Sequence, residues 1–394
     1  MPPRRAPVVV AAPDSFKGSV TAAAAAAALA RGARAAFGPD AEIVELPLAD
    51  GGEGTLDALL AVWRREPMTV ETTDALGRPR TARCVVSEDG RVGVIEAAEG
   101  NGLPHVSDVA LRPLRADSRG VGAIARRLLD DGVEEILLCI GGSASTDGGT
   151  GLLTALGARF VDADDDAVEP GGAGLSAIRG VDLGGLHPRA ATVRWRIAVD
   201  VDNPLCGPRG AAAVFGPQKG ATDRDVETLD DGLSNLARVL GRATAADPNG
   251  LVERPGLGAA GGLPLPLVAL FGAETLPGAQ LIGDAVGLPA ALARADVVLT
   301  GEGSLDSQSL GGKVVDAVRR LAPKSTAVVV IAGTVQLTAA QCREAGLTAA
   351  FSIARGPASL QALVDGAESL IEETAAQACA ALGFPHSTHR TLGK

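Results

Sequence analysis

The sequence predicts an α/β protein of two α/β domains, an outer, discontinuous parallel-sheet domain with a second, mixed α/β domain inserted into it. Three observations carry this. Short β-branched apolar runs are each followed by a glycine-bearing loop and a segment of helical period, the mark of parallel strands. That rhythm occurs twice at the start of the chain and three times at its end, around a stretch of different character. The composition also supplies a core, since 46 % of the 394 residues are hydrophobic and 21 % charged. At roughly 150 residues per domain, this length suits two or three domains. The boundaries read as 1–65 and 290–394 for the outer domain and 66–289 for the insert.

The elements follow in order. Val8–Ala12 reads as a first strand and not an export signal, although Arg4 and Arg5 precede it, because Asp14 and Lys17 interrupt the apolar run. After the loop Pro13–Ser19 comes a helix to about Phe37, whose run Ala22–Ala28 needs only the helix propensity of alanine. A strand over Glu42–Pro47 leads through Ala49–Thr55 into a helix ending near Trp63. Met68–Thr73, Thr81–Ser87 and Arg91–Ala97, joined by turns with no helix, read as an antiparallel meander. Ser118 is placed as the N-cap of a helix marked by Val121, Ile124 and Leu128. Strands at Ile136–Ile140 and Val193–Val199 follow. Val226, Leu229, Leu233, Leu236 and Leu240 then mark one helix face. From Asp296 the βα rhythm returns with strands Asp296–Thr300, Ala327–Ala332 and Ala349–Ile353, and helices near 312–321, 338–345 and 359–382.

Composition excludes several classes. Net charge is 36 − 47 = −11, which disfavours nonspecific nucleic-acid or anionic-membrane binding. Two Trp, seven Phe and no Tyr are too few for base-stacking platforms. No apolar run reaches the ~18 residues of a membrane span. Five separated cysteines without C-x-x-C argue against disulfides or structural zinc and fit a cytoplasmic protein. His386 and His389 read as a solvated tail, and Asp162–Asp166 as a solvated turn.

Ligands in open α/β sheets bind beyond the carboxyl ends of strands. Five such ends, after Ala12, Pro47, Ile140, Val199 and Thr300, carry glycine, carboxylate, hydroxyl or lysine groups. The loop Gly141–Gly151 suits anions, because glycine lets backbone N–H groups approach a phosphate. It is no Walker P-loop: Gly312-Lys313 is followed by Val314. Gly256–Gly261 matches G-x-G-x-x-G but follows Arg254-Pro255 in place of a strand, so it reads as a close-packed loop before a helix near 263–271. Asp200, Asp202 and Asn203 at a strand end could take a proton or offer hard oxygen ligands to Mg²⁺. Lys17 and Lys219, in glycine-flanked loops, could neutralise a transferring phosphate. Asp50, Glu53, Glu302 and Asp306 would repel one another if clustered, a repulsion that a magnesium–nucleotide would relieve.

Taken together, the motifs Ala12–Lys17, Ala49–Thr55, Gly141–Ala144, Asp147–Gly149, Asp200-Val201 with Asn203–Leu205, Phe215–Ala221, Pro255–Gly262, and Thr300–Gly303 with Asp306–Ser309 resemble the bacterial type 1 glycerate kinases, in order from residue 8 to about 375. The resemblance implies ATP-dependent, Mg²⁺-requiring phosphorylation of D-glycerate, most often to 2-phosphoglycerate. It also implies a Rossmann- or flavodoxin-like outer domain, an inserted domain and an active site in a cleft between them. Matched residue by residue, the catalytic groups are Asp200, as proton acceptor, and Lys17. Glycerate falls to Arg119, Asp14, Ser15, Asp50, Gly51, Gly52 and Lys219. The nucleotide falls to Gly142, Ser143, Thr146, Asp147, Gly148, Glu302 and Asp306, although the Ser143–Gly149 loop could hold glycerate instead. Mg²⁺ falls to Asp200, Asn203 and Glu53. A monomer or homodimer without nucleic-acid or membrane partners is expected. Ser304 departs from the family, standing where relatives commonly carry Arg. Transfer to the 3-hydroxyl or to another small hydroxy acid is the alternative reaction. Other classes are a nucleotide-regulated binding protein and a nicotinamide oxidoreductase, the latter lacking its fingerprint.

Overall fold

The computed structural model describes residues 6–383, so the readings of Arg4, Arg5, His386 and His389 lie outside the described residues. Strands β1 to β6 are Val8–Ala11, Glu42–Glu45, Met68–Thr73, Pro79–Val86, Val92–Glu96 and Glu135–Cys139. Strands β7 to β13 are Arg159–Val161, Gly180–Asp182, Arg194–Ala198, Glu274–Leu276, Val297–Leu305, Ala327–Val335 and Ala349–Ser352. The chain forms two compact units. One takes the residues up to Asp50, Asp57–Arg64 and the chain from Ile282 onward, and the other takes Gly51–Leu56 and Arg65–Leu281. The six residues Gly51–Leu56 thus group with the second unit, and the later boundary falls at 281/282 where 289/290 was expected.

The first unit holds an all-parallel sheet in the order β13-β12-β11-β1-β2. Counted within the unit this is 2-1-3-4-5, the flavodoxin-like order, whose switch point lies between β1 and β11. Val9, Ala11, Val297, Leu299, Val329 and Ile331 pack with Leu29, Ala33, Ile371 and Ala375 of two helices, Ala22–Phe37 and Ala367–Ala381. The alternate residues Val10, Val298 and Val330 are fully buried too, as expected of parallel strands covered on both faces. Thr21 caps the first helix, its hydroxyl accepting from the Ala24 N–H at 3.2 Å. The expected helix over 359–382 is two, Leu360–Asp365 and Ala367–Ala381, parted at Gly366.

The second unit holds a six-stranded mixed sheet, β10-β9-β6-β5-β4-β3. Strands β10, β9, β6 and β5 are parallel, while β5, β4 and β3 form the antiparallel meander. Helix Asp223–Thr244 buries Leu229, Leu233, Leu236 and Leu240. Asp162–Asp166 is a surface turn closed by the Asp162 carboxylate, which accepts from the Asp164 and Asp166 N–H groups. The small β7–β8 sheet and β10 carry no clear periodic signal, being only three residues each. Among the described residues, no helix is long and apolar enough to cross a membrane.

Close packing adds a reason for small residues in the first helix. A Cβ at Gly32 would strike the Glu372 carbonyl and lie 2.7 Å from Ala375 Cβ and 2.9 Å from the Ala376 N. Alanine ordinarily stabilises a helix interior relative to glycine by about 1 kcal/mol. Here overpacking of roughly 1–3 kcal/mol outweighs that gain. Gly32→Ala is therefore expected to lower the melting temperature, and a melt at or above wild type would refute this packing account.

Candidate active site

In the first unit, chemistry gathers at the switch point. The loop after β1 is pinned to β11: Thr300 Oγ1 donates to the Ala12 carbonyl at 2.8 Å, and the Asp14 N–H to the Gly301 carbonyl at 2.9 Å. This holds Asp14 at 8 % exposure, with its Oδ1 accepting from the Ser15 N–H at 2.6 Å. Burial, then the Asp50 charge, push its pKa up to about 7, with Glu302 adding and the Ser15 N–H and Lys17 opposing. Strands β11 and β12 run past their expected ends, pairing Ser304 with Thr334 and Leu305 with Val335. Glu302 is therefore a strand residue and not a loop residue. Burial raises its pKa, with Asp306 and Asp50 adding and Ser309 and Lys313 opposing. Its Oε1 is buried without a hydrogen-bond partner. Asp306 serves its own turn, accepting from the Gln308 and Ser309 N–H groups. Ser304 accepts from Thr334 Oγ1 at 3.0 Å and Gln336 Nε2 at 3.2 Å, completing a polar row across β11 and β12. Lys17 is exposed beside this group.

In the second unit, the loop Gly51–Leu56 lies over strand ends. The Leu56 N–H donates to Glu96 Oε1 at 2.5 Å at the end of β5, and Thr55 Oγ1 to the Gly52 carbonyl at 2.7 Å. A Cβ on Gly51 would sit 2.6 Å from Ala198 Cβ, the last residue of β9, and one on Gly141 would sit 3.0 Å from Gly52 Cα. The glycine pair thus lets this loop rest on the carboxyl ends of β6 and β9, with Glu53 exposed. Asp200, exposed just past β9, accepts from the Gly278 N–H through Oδ1 at 2.8 Å. Asn203 shapes its own loop. Its Nδ2 donates to the Arg209 carbonyl at 2.8 Å, and its carbonyl accepts from the Gly256 and Gly258 N–H groups. Gly256–Gly261 forms no dinucleotide turn; Gly261 accepts from the Gly148 N–H and supports the neighbouring loop.

That neighbour, the loop after β6, is built around Asp147, which is fully buried. Its Oδ2 accepts from the Ser118 N–H, Ser118 Oγ and the Gly151 N–H at 2.9, 2.7 and 2.9 Å. Its Oδ1 accepts from Ser145 Oγ at 3.1 Å and the Gly149 N–H at 3.3 Å. The expected nucleotide ligand is thus an internal brace. Ser118 stands at the start of helix Arg119–Asp130, yet it does not cap that helix, because its hydroxyl donates to Asp147 and accepts from the Leu152 N–H. Asn101, which sequence reasoning missed, is fully buried and grips the same loop, donating to Ser145 Oγ and accepting from the Ala144 N–H. Lys219 is only 2 % exposed, with Nζ donating to the Ser145 carbonyl at 2.5 Å and Ser143 Oγ at 3.2 Å. Burial lowers its pKa to about 8, with Asp147 opposing. Thr146 Oγ1 is buried without a partner, and Gly142 is exposed with φ +72°.

Arg119 opens its helix with a half-exposed guanidinium, its Nε 3.4 Å from Asp117 Oδ2. Asp117 also accepts from the Arg119 N–H, and burial, then Asp147, raise its pKa to about 6. The expected residues therefore fall into two groups, each within its own unit. Asp14, Ser15, Lys17, Asp50, Glu302 and Asp306 belong to the first. Gly51, Gly52, Glu53, Arg119, Gly142, Ser143, Thr146, Asp147, Gly148, Asp200, Asn203 and Lys219 belong to the second. Among the described residues, no three His, Cys, Asp or Glu side chains form a ready metal cage.

Residues 9–383 match the model of the Glycerate kinase family. The chain is 38 % identical over 375 residues to the glycerate kinase of Bacillus subtilis (strain 168), covering 95 % of this chain and 97 % of the relative. It is 38 % identical over 360 residues to the glycerate 2-kinase of Escherichia coli (strain K12), covering 91 % and 93 %. A crystal structure from Salmonella typhimurium LT2, of a provisionally named glycerate kinase 2, superposes with a TM-score of 0.86 at 41 % identity, covering 96 % of this chain and 98 % of the other.

The raised Asp14 pKa has a stability consequence. The folded protein binds this proton more tightly than the unfolded chain, so the contribution is full below about pH 4 and is lost as pH rises through about 7. Each pH unit in that window is worth about 1.4 kcal/mol at most. Asp14→Asn is expected to raise the melting temperature by several degrees at pH 8 and to leave it little changed at pH 4. Equal effects at both pH values would show that Asp14 is not held in this way.

Proposed function

This chain belongs to the glycerate kinase family, and from that premise we propose that it transfers the γ-phosphoryl group of ATP to the 2-hydroxyl of D-glycerate, yielding 2-phosphoglycerate and ADP. The observation that carries the regiochemistry is the 38 % identity to the Escherichia coli glycerate 2-kinase across 91 % of this chain. The alternative product, 3-phosphoglycerate, is the outcome that the product assay separates.

In this reading the glycerate hydroxyl oxygen bonds to the γ-phosphorus while the bond to the β-phosphate oxygen breaks. Charge is spread over the transferring group, so positioning and electrostatics supply most of the catalysis. Asp200 takes the hydroxyl proton, and Lys17 balances charge on the phosphoryl oxygens. Arg119 offers its half-exposed guanidinium to the glycerate carboxylate, a match for its planar fork. Asp117 pairs with it, its Oδ2 3.4 Å from Arg119 Nε. In this reading Gly142, Ser143, Thr146 and Gly148 are the nucleotide-phosphate groups of the second unit, and Glu302 and Asp306 are the nucleotide groups of the first.

Mg²⁺ suits the donor set of Asp200, Asn203 and Glu53, which offers only hard oxygen atoms for metal binding, two of them exposed carboxylates. A cation that keeps several waters and binds through one or two carboxylates plus substrate phosphates needs no closed protein cage. When bound, it neutralises phosphate charge.

Two measurements test this. Purified protein is expected to consume ATP with D-glycerate only when Mg²⁺ is present, and phosphorus NMR of the product should show phosphate on C2. Turnover that survives EDTA, or none with any hydroxy acid, would overturn the reading; a C3 product would overturn its regiochemistry. Asp200→Asn should fold as wild type and lose about 10²–10⁴-fold in kcat, the usual contribution of a general base. If kcat instead survives in Asp200→Asn but collapses in Asp14→Asn, the proton goes to Asp14, whose pKa near 7 suits the task.

A further inference from the structure

The loop after β6 is braced by a buried cation, Lys219, whose ammonium reaches it from the turn Pro217–Lys219. We propose that Lys219 is a positioning residue that delivers its charge through the Ser143 hydroxyl, which is the group that contacts a bound oxyanion. The inference rests on the nucleotide placement above and goes beyond it, since it makes Ser143 the contact and Lys219 its polariser.

The argument is one of donors and acceptors. A lysine ammonium has protons to give and no lone pair, so a hydroxyl beside it must accept. Lys219 Nζ lies 3.2 Å from Ser143 Oγ and 2.5 Å from the Ser145 carbonyl. Ser143 Oγ therefore accepts a hydrogen bond from the ammonium and keeps its own proton to donate onward. A hydroxyl polarised in this way is a stronger donor, because hydrogen bonds in a chain reinforce one another in a low-dielectric interior. Ser143 is itself 6 % exposed and Lys219 2 %, so Ser143 stands nearer the solvent of the two.

The surroundings also ask for an anion. Asp147, the carboxylate whose charge acts on Lys219, is filled by five donors from the chain. Among the described residues, no acceptor meets the N–H groups of Ser143, Ser145 or Thr146. Thr146 Oγ1 is buried and equally without a partner. Unpaired buried donors are costly; Ser145 and Thr146 have no exposed surface, so Ser143, at 6 %, is where a bound oxyanion would reach this set. The ligand class is thus a phosphate or carboxylate oxygen, supplied by the nucleotide or by glycerate.

Kinetics of Lys219→Met, Ser143→Ala, Ser143→Thr and the Lys219→Met/Ser143→Ala double variant test this, with ADP binding by calorimetry and thermal melts alongside. Each removal should weaken nucleotide binding roughly 10- to 100-fold, as expected for losing a charge-assisted hydrogen bond. The double variant should be little worse than either single one, because the charge acts through the hydroxyl, and Ser143→Thr should retain most of the affinity. Multiplying effects in the double variant would overturn the relay, as would a Ser143→Ala protein that binds both ligands normally. If the KM for glycerate rises in place of that for ATP, the relay stands and the nucleotide placement falls. A wild-type protein inactive with ATP and D-glycerate would refute the proposed function, whereas an active wild type with multiplying variants refutes only the relay.

Discussion

The buried carboxylate of Asp147 is the interaction on which the second unit's site depends. Moving such an ion out of water costs several kcal/mol even after relaxation. Five hydrogen bonds offset that cost, and they come from two separate stretches: Ser118, and the segment from Ser145 to Gly151 that runs into the following helix. One side chain therefore aligns the first turn of the Arg119 helix with the loop after β6. The same charge pushes the Asp117 pKa upward and the Lys219 pKa back toward its ordinary value. Arg119, Ser143 and Lys219 hold their places because Asp147 holds the backbone beneath them.

The first unit is arranged on a different principle. The Asp50 charge raises the proton affinity of both Asp14 and Glu302 at the switch point, and Glu302 adds to that of Asp14, with Lys17 opposing at Asp14 and Lys313 at Glu302. Glu302 keeps an unpaired buried oxygen. Such crowding sacrifices stability for groups whose charge is ready to meet a ligand, the usual pattern where pKa values are displaced at functional sites. The second unit satisfies its buried charge internally, whereas the first leaves it exposed to neighbours of the same sign.

Much of this was legible in the sequence, and the failures share a cause. Val8–Ala11 announced a buried parallel strand through its composition, and the leucine stripe from Leu229 to Leu240 announced its helix. The meander was readable because its turns carry glycine. Glu302 was misread as a loop residue because Gly301 and Gly303 suggest a turn, while pairing with β12 carries the strand onward. Ser118 looked like a cap because its partner Asp147 lies 29 residues away. Asn101, 44 residues from Ser145, offered no local signal at all. Glycine motifs located the site loops; long-range hydrogen bonds decided which of their side chains face inward, and spacing along the chain does not record those.

The order of the first sheet has a consequence for how the chain is made. Strand β1 pairs with β11, and the Val8 N–H and Thr300 hydroxyl reach partners 288 residues away in sequence. At about 5–20 residues per second, a ribosome takes on the order of 15–60 s to supply that distance. During this interval β1 and β2 have emerged without the strand that covers β1, and before it ends the second unit's contiguous body, Arg65–Leu281, is complete. Vectorial synthesis thus favours a folding sequence in which the insert matures first, leaving the apolar segment Val8–Ala11 as the stretch most in need of a chaperone.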